Sequence, residues 1–450
     1  MTARNLPVDA GRLWDDVMAL AAITEPDRPY TRRAFTPRFL EGRAFLARRF
    51  AEAGLQVRID PAGNLIGRRP GRVPGSGTIL IGSHSDTVLD GGRFDGAAGV
   101  IAALEAARAL AEAGQALDHD LEVVDCLAEE ANVYGVPCIG SRALAGRLTP
   151  ELLAYAEPGG ESVAQAIARM GGDPGRIAAA RRGEVACFLE LHIEQGRVLE
   201  SEGVDVGVVR GIVGILRVEL LVEGRADHAG TTPMALRADA LCAAAAAILA
   251  VRAQAQALAG EGSGYFAATV GVIEVVPNAA NVIPATARLV IDARAARREV
   301  MERFAAWVET ALPPVVAGAG ARLARSAVLS DSRNVDSDPG LCAILADSAQ
   351  ALGFSCRDMT SGAGHDAAML SWVAPSAMIF TPCRAGRSHC AEEWVEPEQL
   401  AAGAAVLHEA VLRFDRAKRG EDALSAEARA APAPNSQNEE ISRIRPPPAG

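Results

Sequence analysis

Residues 78–96 read TILIGSHSDTVLDGGRFDG. The opening run, Thr78 to Gly82, is continuously apolar, as expected of a strand buried on both faces. It empties into a polar, glycine-rich loop that carries His84, Asp86 and Asp95. Two later stretches repeat the pattern. The apolar run Leu121 to Ala128 leads into Glu129-Glu130, and Cys187 to Leu191 leads into His192-Ile193-Glu194-Gln195-Gly196. In α/β folds, sites form at the carboxyl ends of strands. Three apolar strands that end in residues able to bind metal therefore predict an α/β core with a site at that end.

The surrounding sequence fits this core. Residues 9–23 and 39–53 have helical apolar spacing, with Gly54 as a C-cap. Short strands are predicted at Leu55–Ile59 and Asn64–Gly67, and a helix from Ala97 to Ala113 ending at Gly114. From about residue 211 the pattern changes. Strands are expected at Ile215–Glu223, Tyr265–Val276, Ala285–Ala293 and Arg322–Leu329. Helices are expected at Arg237–Leu258 and Arg297–Leu312. That β-α-β-β-α-β order is the split βαβ pattern of a ferredoxin-like unit, inserted at 212–329. The α/β pattern then resumes with a helix at Leu341–Leu352, a strand at Ala377–Thr381 and a helix at Pro397–Phe414. The first domain is thus expected to be discontinuous, 1–211 with 330–416. Beyond 417 the chain turns to Ala, Pro, Ser and Glu, as in a disordered tail.

Composition narrows the function. The 450 residues suggest two to three domains at about 150 residues each. Hydrophobic residues make up 49% and charged residues 22%, which excludes disorder of the whole chain. The net charge of −11 argues against nucleic acid or an anionic membrane as partner. The longest apolar run, Ala240 to Val251, falls short of the roughly 18 residues of a membrane span and reads as a buried helix. The N-terminus has no basic-then-apolar signal pattern, so a cytoplasmic protein is expected. The eight cysteines form no CxxC pair and read as reduced thiols.

There are seven histidines. Five of them (His84, His192, His228, His365 and His389) are expected in glycine-rich or polar loops. His119 and His408 carry no assigned role. A neutral imidazole and a carboxylate are the ligands a zinc-like dication prefers. Asp86, two residues from His84, suits the carboxylate behind a metal-bound histidine. Adjacent side chains at a strand end point apart, so one of Glu129 and Glu130 can bind metal while the other serves as general base. Three histidines, one Asp and one Glu are about the set that two metals sharing a carboxylate need.

Seven segments then occur in order: GSHSDTVLDGGRFDGAAGVIAALE, LAEE, LELHIEQGRVLE, HAGTTPMALRADA, PNAANVIP with DAR, SGAGHDAAM and GRSHCAEEW. Over residues 10–415 the chain resembles the amidase/hydantoinase/carbamoylase branch of the M20 metallopeptidase-like superfamily. That branch includes N-carbamoyl-L-amino-acid hydrolases, β-ureidopropionases and allantoate amidohydrolases. The resemblance implies a metallo-exopeptidase-like catalytic domain with a mixed central sheet, and an inserted α+β lid and dimerisation domain. It implies two divalent metals, zinc, manganese or cobalt. His84, Asp95 and His192 would hold one, and Asp95 would bridge to a second held by Glu130 and His389. Glu129 would be the general base, with Asp86 orienting His84. His228 would reach the partner subunit's site in a homodimer and stabilise the oxyanion. Asn281 and Arg294 would grip a substrate carboxylate, and Gln195 would face substrate. His365 would either touch substrate or stabilise its loop.

The reaction expected is hydrolysis of a linear C–N bond, most simply that of an N-carbamoyl amino acid, with release of ammonia and carbon dioxide. An allantoate or ureide amidohydrolase of the same fold is the nearest alternative. A dipeptidase and a non-catalytic binding protein stand behind it. The family continues after the paired glutamates with Gly and then Arg-Phe, whereas this chain reads Ala131-Asn132-Val133-Tyr134-Gly135. The resemblance therefore gives the reaction class and not the side chain of the substrate.

Overall fold

The structure is a computed structural model that describes residues 6–419. In chain order its strands are β1 (Gln56–Ile59), β2 (Leu65–Arg69), β3 (Thr78–His84), β4 (Asp120–Cys126), β5 (Val185–Ile193), β6 (Val206–Ile212), β7 (Gly214–Glu223), β8 (Phe266–Val276), β9 (Thr286–Ala295), β10 (Arg322–Asp331), β11 (Val335–Asp336), β12 (Cys356–Ser361) and β13 (Ser376–Thr381). They form two sheets. The larger has the order β1-β2-β4-β3-β5-β13-β6-β11, with β12 also paired to β6.

The large sheet is mixed. Strands β4, β3, β5 and β13 are mutually parallel neighbours, while β2 joins β4 and β6 joins β13 antiparallel. Strands β3 and β13 are buried at every residue, and β4 and β5 at all but one each, as expected of parallel strands covered on both faces. Helices Ala10–Ala21, Ala97–Glu112, Pro339–Ala351 and Pro397–Arg419 build the core on one face. On the other face Leu80, Val124, Phe188 and Met378 pack with Leu144 and Leu370 from two short helices. The four parallel strands deliver their carboxyl ends side by side, which fixes where a site can form.

The second sheet, β10-β7-β9-β8, is wholly antiparallel and spans Gly214 to Asp331. Strand β9 alternates buried and half-buried residues along its whole length, so one face of this sheet is covered. Helices Ala240–Gly260 and Arg298–Gly318 cover it around Leu220, Leu289 and Phe304. The element order and strand order are those of a split βαβ unit.

Several boundaries differ from the sequence reading. The helix expected from Arg237 begins at Ala240, because Asp239 accepts the Leu241 and Cys242 N–H groups as N-cap. It is long and apolar enough to cross a membrane by length and composition. Here it packs on β8 and on Arg298–Gly318. It is half-buried, not buried, with Leu249 64% exposed. The next helix continues through Pro313 and Pro314 to Gly318, because Leu312 and Val316 are buried in the same core and packing overrides the local break. Strands β6, β11 and β12 were not anticipated. The last helix runs to Arg419, past the expected boundary at 416, and the rest of the expected tail lies outside the described residues.

Candidate metal centre

His84 closes β3 and His192 is the penultimate residue of β5, so both are strand residues and not loop residues as expected. Their Nδ1 atoms lie 3.1 Å from the Asp86 carbonyl and 3.0 Å from the Ile193 carbonyl. Each imidazole must donate its N–H there, which leaves both Nε2 lone pairs free to bind a cation. Asp95 bridges His192 and His389. Its Oδ1 is 3.2 Å from His192 Nε2, and its Oδ2 is 2.9 Å from His389 Nε2. His389 Nε2 is also 3.3 Å from Glu130 Oε1.

Among the described residues, three groups have ligand atoms within 4.8 Å of one another. Glu190-His192-His365 is one; the other two are His84-Asp95-His192 and Asp95-Glu130-His389. The latter two share Asp95. Two nitrogens and a carboxylate suit the first ion, and two carboxylates and a nitrogen the second. The electrostatics agree. Asp86, Asp95, Glu129 and Glu130 are all at least nine-tenths buried in one place. Such a concentration of buried carboxyl groups favours positive charge beside it. Burial alone would lower the histidine at 389, but the carboxylates of Asp95 and Glu130 outweigh it and push the ring up to about 11.

Glu129 and Glu130 follow β4 and diverge, as strand-end neighbours do. Glu130 faces His389, whereas Glu129 Oε2 lies 3.7 Å from His84 Nε2. Burial, then the neighbouring Glu130, Asp366 and Asp86 carboxylates, holds Glu129 well above the usual carboxylate range despite His84. A raised carboxyl beside the ligand groups is suited to proton transfer near neutral pH. Asp86 does more than stand behind His84. Its carboxylate is 3.5 Å from His84 Nδ1, but its two oxygens accept the Glu129 and Glu130 backbone N–H groups at 3.2 Å each.

Glycine is required where the backbone closes on the ligands. Gly96 has a φ of +61°, and a Cβ there would lie 2.4 Å from the His84 ring. Gln195 and His389 have φ of 55° and 56°, a left-handed backbone that side chains seldom adopt and that clusters at functional sites. The Gln195 amide donates to Asp95 Oδ1 at 3.1 Å and to Ser388 Oγ at 3.2 Å.

His365 is 2% exposed, its Nε2 is 2.7 Å from Ser361 Oγ, and its ring centre is 4.5 Å from that of His192. Burial, then the nearby His192, holds it well below the usual histidine range. His228 and Asn281 lie on adjoining segments of the second unit, joined by the Ala229 N–H to the Asn281 carbonyl. Among the described residues, neither hydrogen-bonds to the ligand groups. Arg294, on β9, donates to Asp292 Oδ1 and to the Gly362 carbonyl, in the loop that carries His365.

The segment 131–139 is held by its own bonds. Asn132 Nδ2 donates to the Glu130 and Val136 carbonyls, and the Tyr134 hydroxyl donates to Glu161 at 2.6 Å. The Cys138 thiol lies 3.5 Å from Glu129 Oε1. Sequence reading assigned no role to Glu190, Asp366 or Glu393, all wholly buried near the ligands. Glu190 carried a signal, a charge two residues before His192 on a buried strand. Asp366 and Glu393 carried none beyond lying within quoted motifs.

Comparison with known proteins identifies the relatives of the chain. Residues 80–413 match the peptidase family M20/M25/M40. The chain is 38% identical over 412 residues to an N-carbamoyl-L-amino acid amidohydrolase of Geobacillus stearothermophilus, covering 90% of this chain and 98% of that one. It is 34% identical over 385 residues to an allantoate amidohydrolase of Bacillus subtilis (strain 168), covering 85% and 92%. The crystal structure of a hydantoinase/carbamoylase family amidase from Burkholderia multivorans superposes with a TM-score of 0.82 at 34% identity, covering 90% and 98%. The chain belongs to the M20/M25/M40 peptidase family, among its hydantoinase/carbamoylase amidases.

Proposed function

We propose that the protein is a binuclear metal-dependent amidohydrolase that cleaves the linear C–N bond of an N-carbamoyl-L-amino acid. The products are ammonia, carbon dioxide and the free amino acid. The observation that carries this reading is the convergence of two ligand groups on Asp95, with Glu129 beside His84. Relatives named as N-carbamoyl-L-amino-acid amidohydrolases support the substrate class.

His84, Asp95 and His192 would hold one divalent ion; Asp95, Glu130 and His389 would hold the other. Zinc, manganese and cobalt all suit these donors. When bound, the ions supply Lewis acidity to the ureido carbonyl and to water. Glu129 takes a proton from the attacking water and delivers it to the leaving nitrogen as the C–N bond breaks. The carbamate half then decomposes to carbon dioxide and ammonia. Asp86 holds the backbone of Glu129 and Glu130 and the side of His84 while this happens.

His228 is the oxyanion donor in this reading. Its Nδ1 accepts the Gly230 and Thr231 backbone N–H groups at 3.0 and 3.2 Å, so the ring proton resides on Nε2, facing outward as a donor. Because the ring is exposed and bonds to no ligand of its own chain among the described residues, we assign it to the partner's site in a homodimer. Residues 212–329 then serve as lid and dimerisation domain. Asn281 and Arg294 would grip the substrate carboxylate, for which a guanidinium is the natural bidentate partner. Gln195 and His365 would line the site. The eight free cysteines are in keeping with a reducing cytoplasm.

A second reading, hydrolysis of allantoate or a related ureide, is favoured by the allantoate amidohydrolase relative. The test is ammonia release by manganese-loaded protein from N-carbamoyl-L-amino acids, N-carbamoyl-β-alanine, allantoate and ureidoglycolate. Turnover of the carbamoyl amino acids supports the first reading, and turnover of allantoate alone supports the second. Free amino acids from dipeptides without ammonia would overturn both.

A further inference from the structure

Glu393 is wholly buried four residues beyond His389, and nothing in the reaction above uses it. Its Oε1 accepts the backbone N–H of Phe94 at 2.7 Å and that of Asp95 at 3.1 Å. Its Oε2 accepts the Ser388 hydroxyl at 2.8 Å. One carboxylate thus ties the backbone that carries Asp95 to the turn that carries His389, across 298 positions of sequence. The slot is shaped for it. A Cβ at Gly92 would lie 2.0 Å from the Glu393 carboxylate, so the loop before Asp95 passes directly over that group.

We propose that Glu393 is a positioning residue for the second ion's ligands, setting the spacing between Asp95 and His389. The inference rests on the binuclear reading above. The first group does not depend on this clamp to the same degree. His84 and His192 are each fixed by an Nδ1 bond to a backbone carbonyl at the end of a buried strand. His389, by contrast, stands in a left-handed turn, is 48% exposed, and has no Nδ1 bond of that kind among the described residues. The Ser388 bond to Glu393 is what anchors that turn beneath the ligands. Ser388 also receives the Gln195 amide, so the clamp reaches the third loop of the site.

Arg93 laces the same two segments independently, donating to the Ala391 and Glu393 carbonyls and lying over the Tyr30 and Trp394 rings. In Glu393→Gln, the amide oxygen still accepts the two backbone N–H groups, but the amide nitrogen cannot accept the Ser388 hydroxyl. Glu393→Ala loses both arms.

The experiment titrates full-length protein with manganese(II) chloride. Free ion is followed by its EPR signal, and occupancy of both positions by the spin-coupled spectrum of a manganese pair. Wild type is expected to take two ions and show the coupled spectrum. E393Q is expected to bind the second ion about tenfold more weakly and E393A about a hundredfold. In both variants the second ion should weaken more than the first, which shares Asp95, and the coupled spectrum should be lost at loadings that fill one position. Wild-type binding of both ions by E393Q and E393A overturns the clamp alone. A wild-type protein that never takes a second ion overturns the binuclear reading and the clamp with it. If neither Glu393 variant folds, Ser388→Ala reads the same link from the His389 side. A weakened second ion supports the clamp, and unchanged binding overturns it.

Discussion

One oxygen of the Asp86 carboxylate accepts the Glu129 backbone N–H at 3.2 Å, while the other accepts that of Glu130. A single buried side chain therefore sets the direction of both the proposed general base and a proposed metal ligand. In Asp86→Asn one of these N–H groups would face an amide N–H. The variant is expected to lose about 10- to 100-fold in kcat/KM and in manganese affinity together. The unpaired buried donor should cost about 1–3 kcal/mol of stability. Steady-state kinetics, manganese titration and urea unfolding on the same preparation check this. Unchanged metal affinity would restrict Asp86 to a folding role.

His228 offers a test of the proposed dimer that uses two inactive chains. His228→Ala should lose about 10²–10³ in kcat, the usual worth of one oxyanion donor. Glu129→Gln should be similarly inactive. In mixed dimers the His228→Ala chain keeps Glu129 and receives His228 of the partner subunit. One working site per mixed dimer is restored. Random mixing after co-expression should return about a quarter of wild-type activity. Absence of recovery in verified mixed dimers would put His228 in its own chain's site.

His408 predicts a pH dependence unrelated to the site. It is 5% exposed, and neither ring nitrogen has a hydrogen-bond partner among the described residues. Burial lowers its pKa from 6.5 to about 4. Above the unfolded value, both states are neutral and the full stability is present. As pH falls toward the folded value, only the unfolded chain takes up the proton, so stability is lost. The slope reaches about 1.4 kcal/mol per pH unit and the total about 3 kcal/mol. His408→Leu removes this loss and one unpartnered buried group. Urea unfolding should show the variant gaining on wild type by about 2 kcal/mol more at pH 5 than at pH 7. An equal gap at both pH values would contradict the assignment.

What the sequence revealed follows from range. Thr78–Gly82 and Cys187–Leu191 are apolar runs whose burial on both faces is a local property, and each named its neighbouring histidine. Strand β12, Cys-Arg-Asp-Met-Thr-Ser, has little apolar character and is held by pairing to β6, so no local pattern announced it. The helix through Pro313 was cut short for the same reason, since the burial of Val316 against the second sheet is a tertiary fact. Glu393 is the sharpest case. Its partners Phe94 and Asp95 lie near the other end of the chain, and only the folded backbone brings their N–H groups to it.

In the proposed reaction Glu129 moves the proton beside two ions it does not itself hold. The most direct measurement is ammonia release from N-carbamoyl-L-amino acids by manganese-loaded wild type and Glu129→Gln, with bound metal counted on the same samples. Loss of the Glu129 carboxylate is expected to lower kcat by about 10²–10⁴ with metal content unchanged. Turnover that survives the substitution at full metal loading would contradict it.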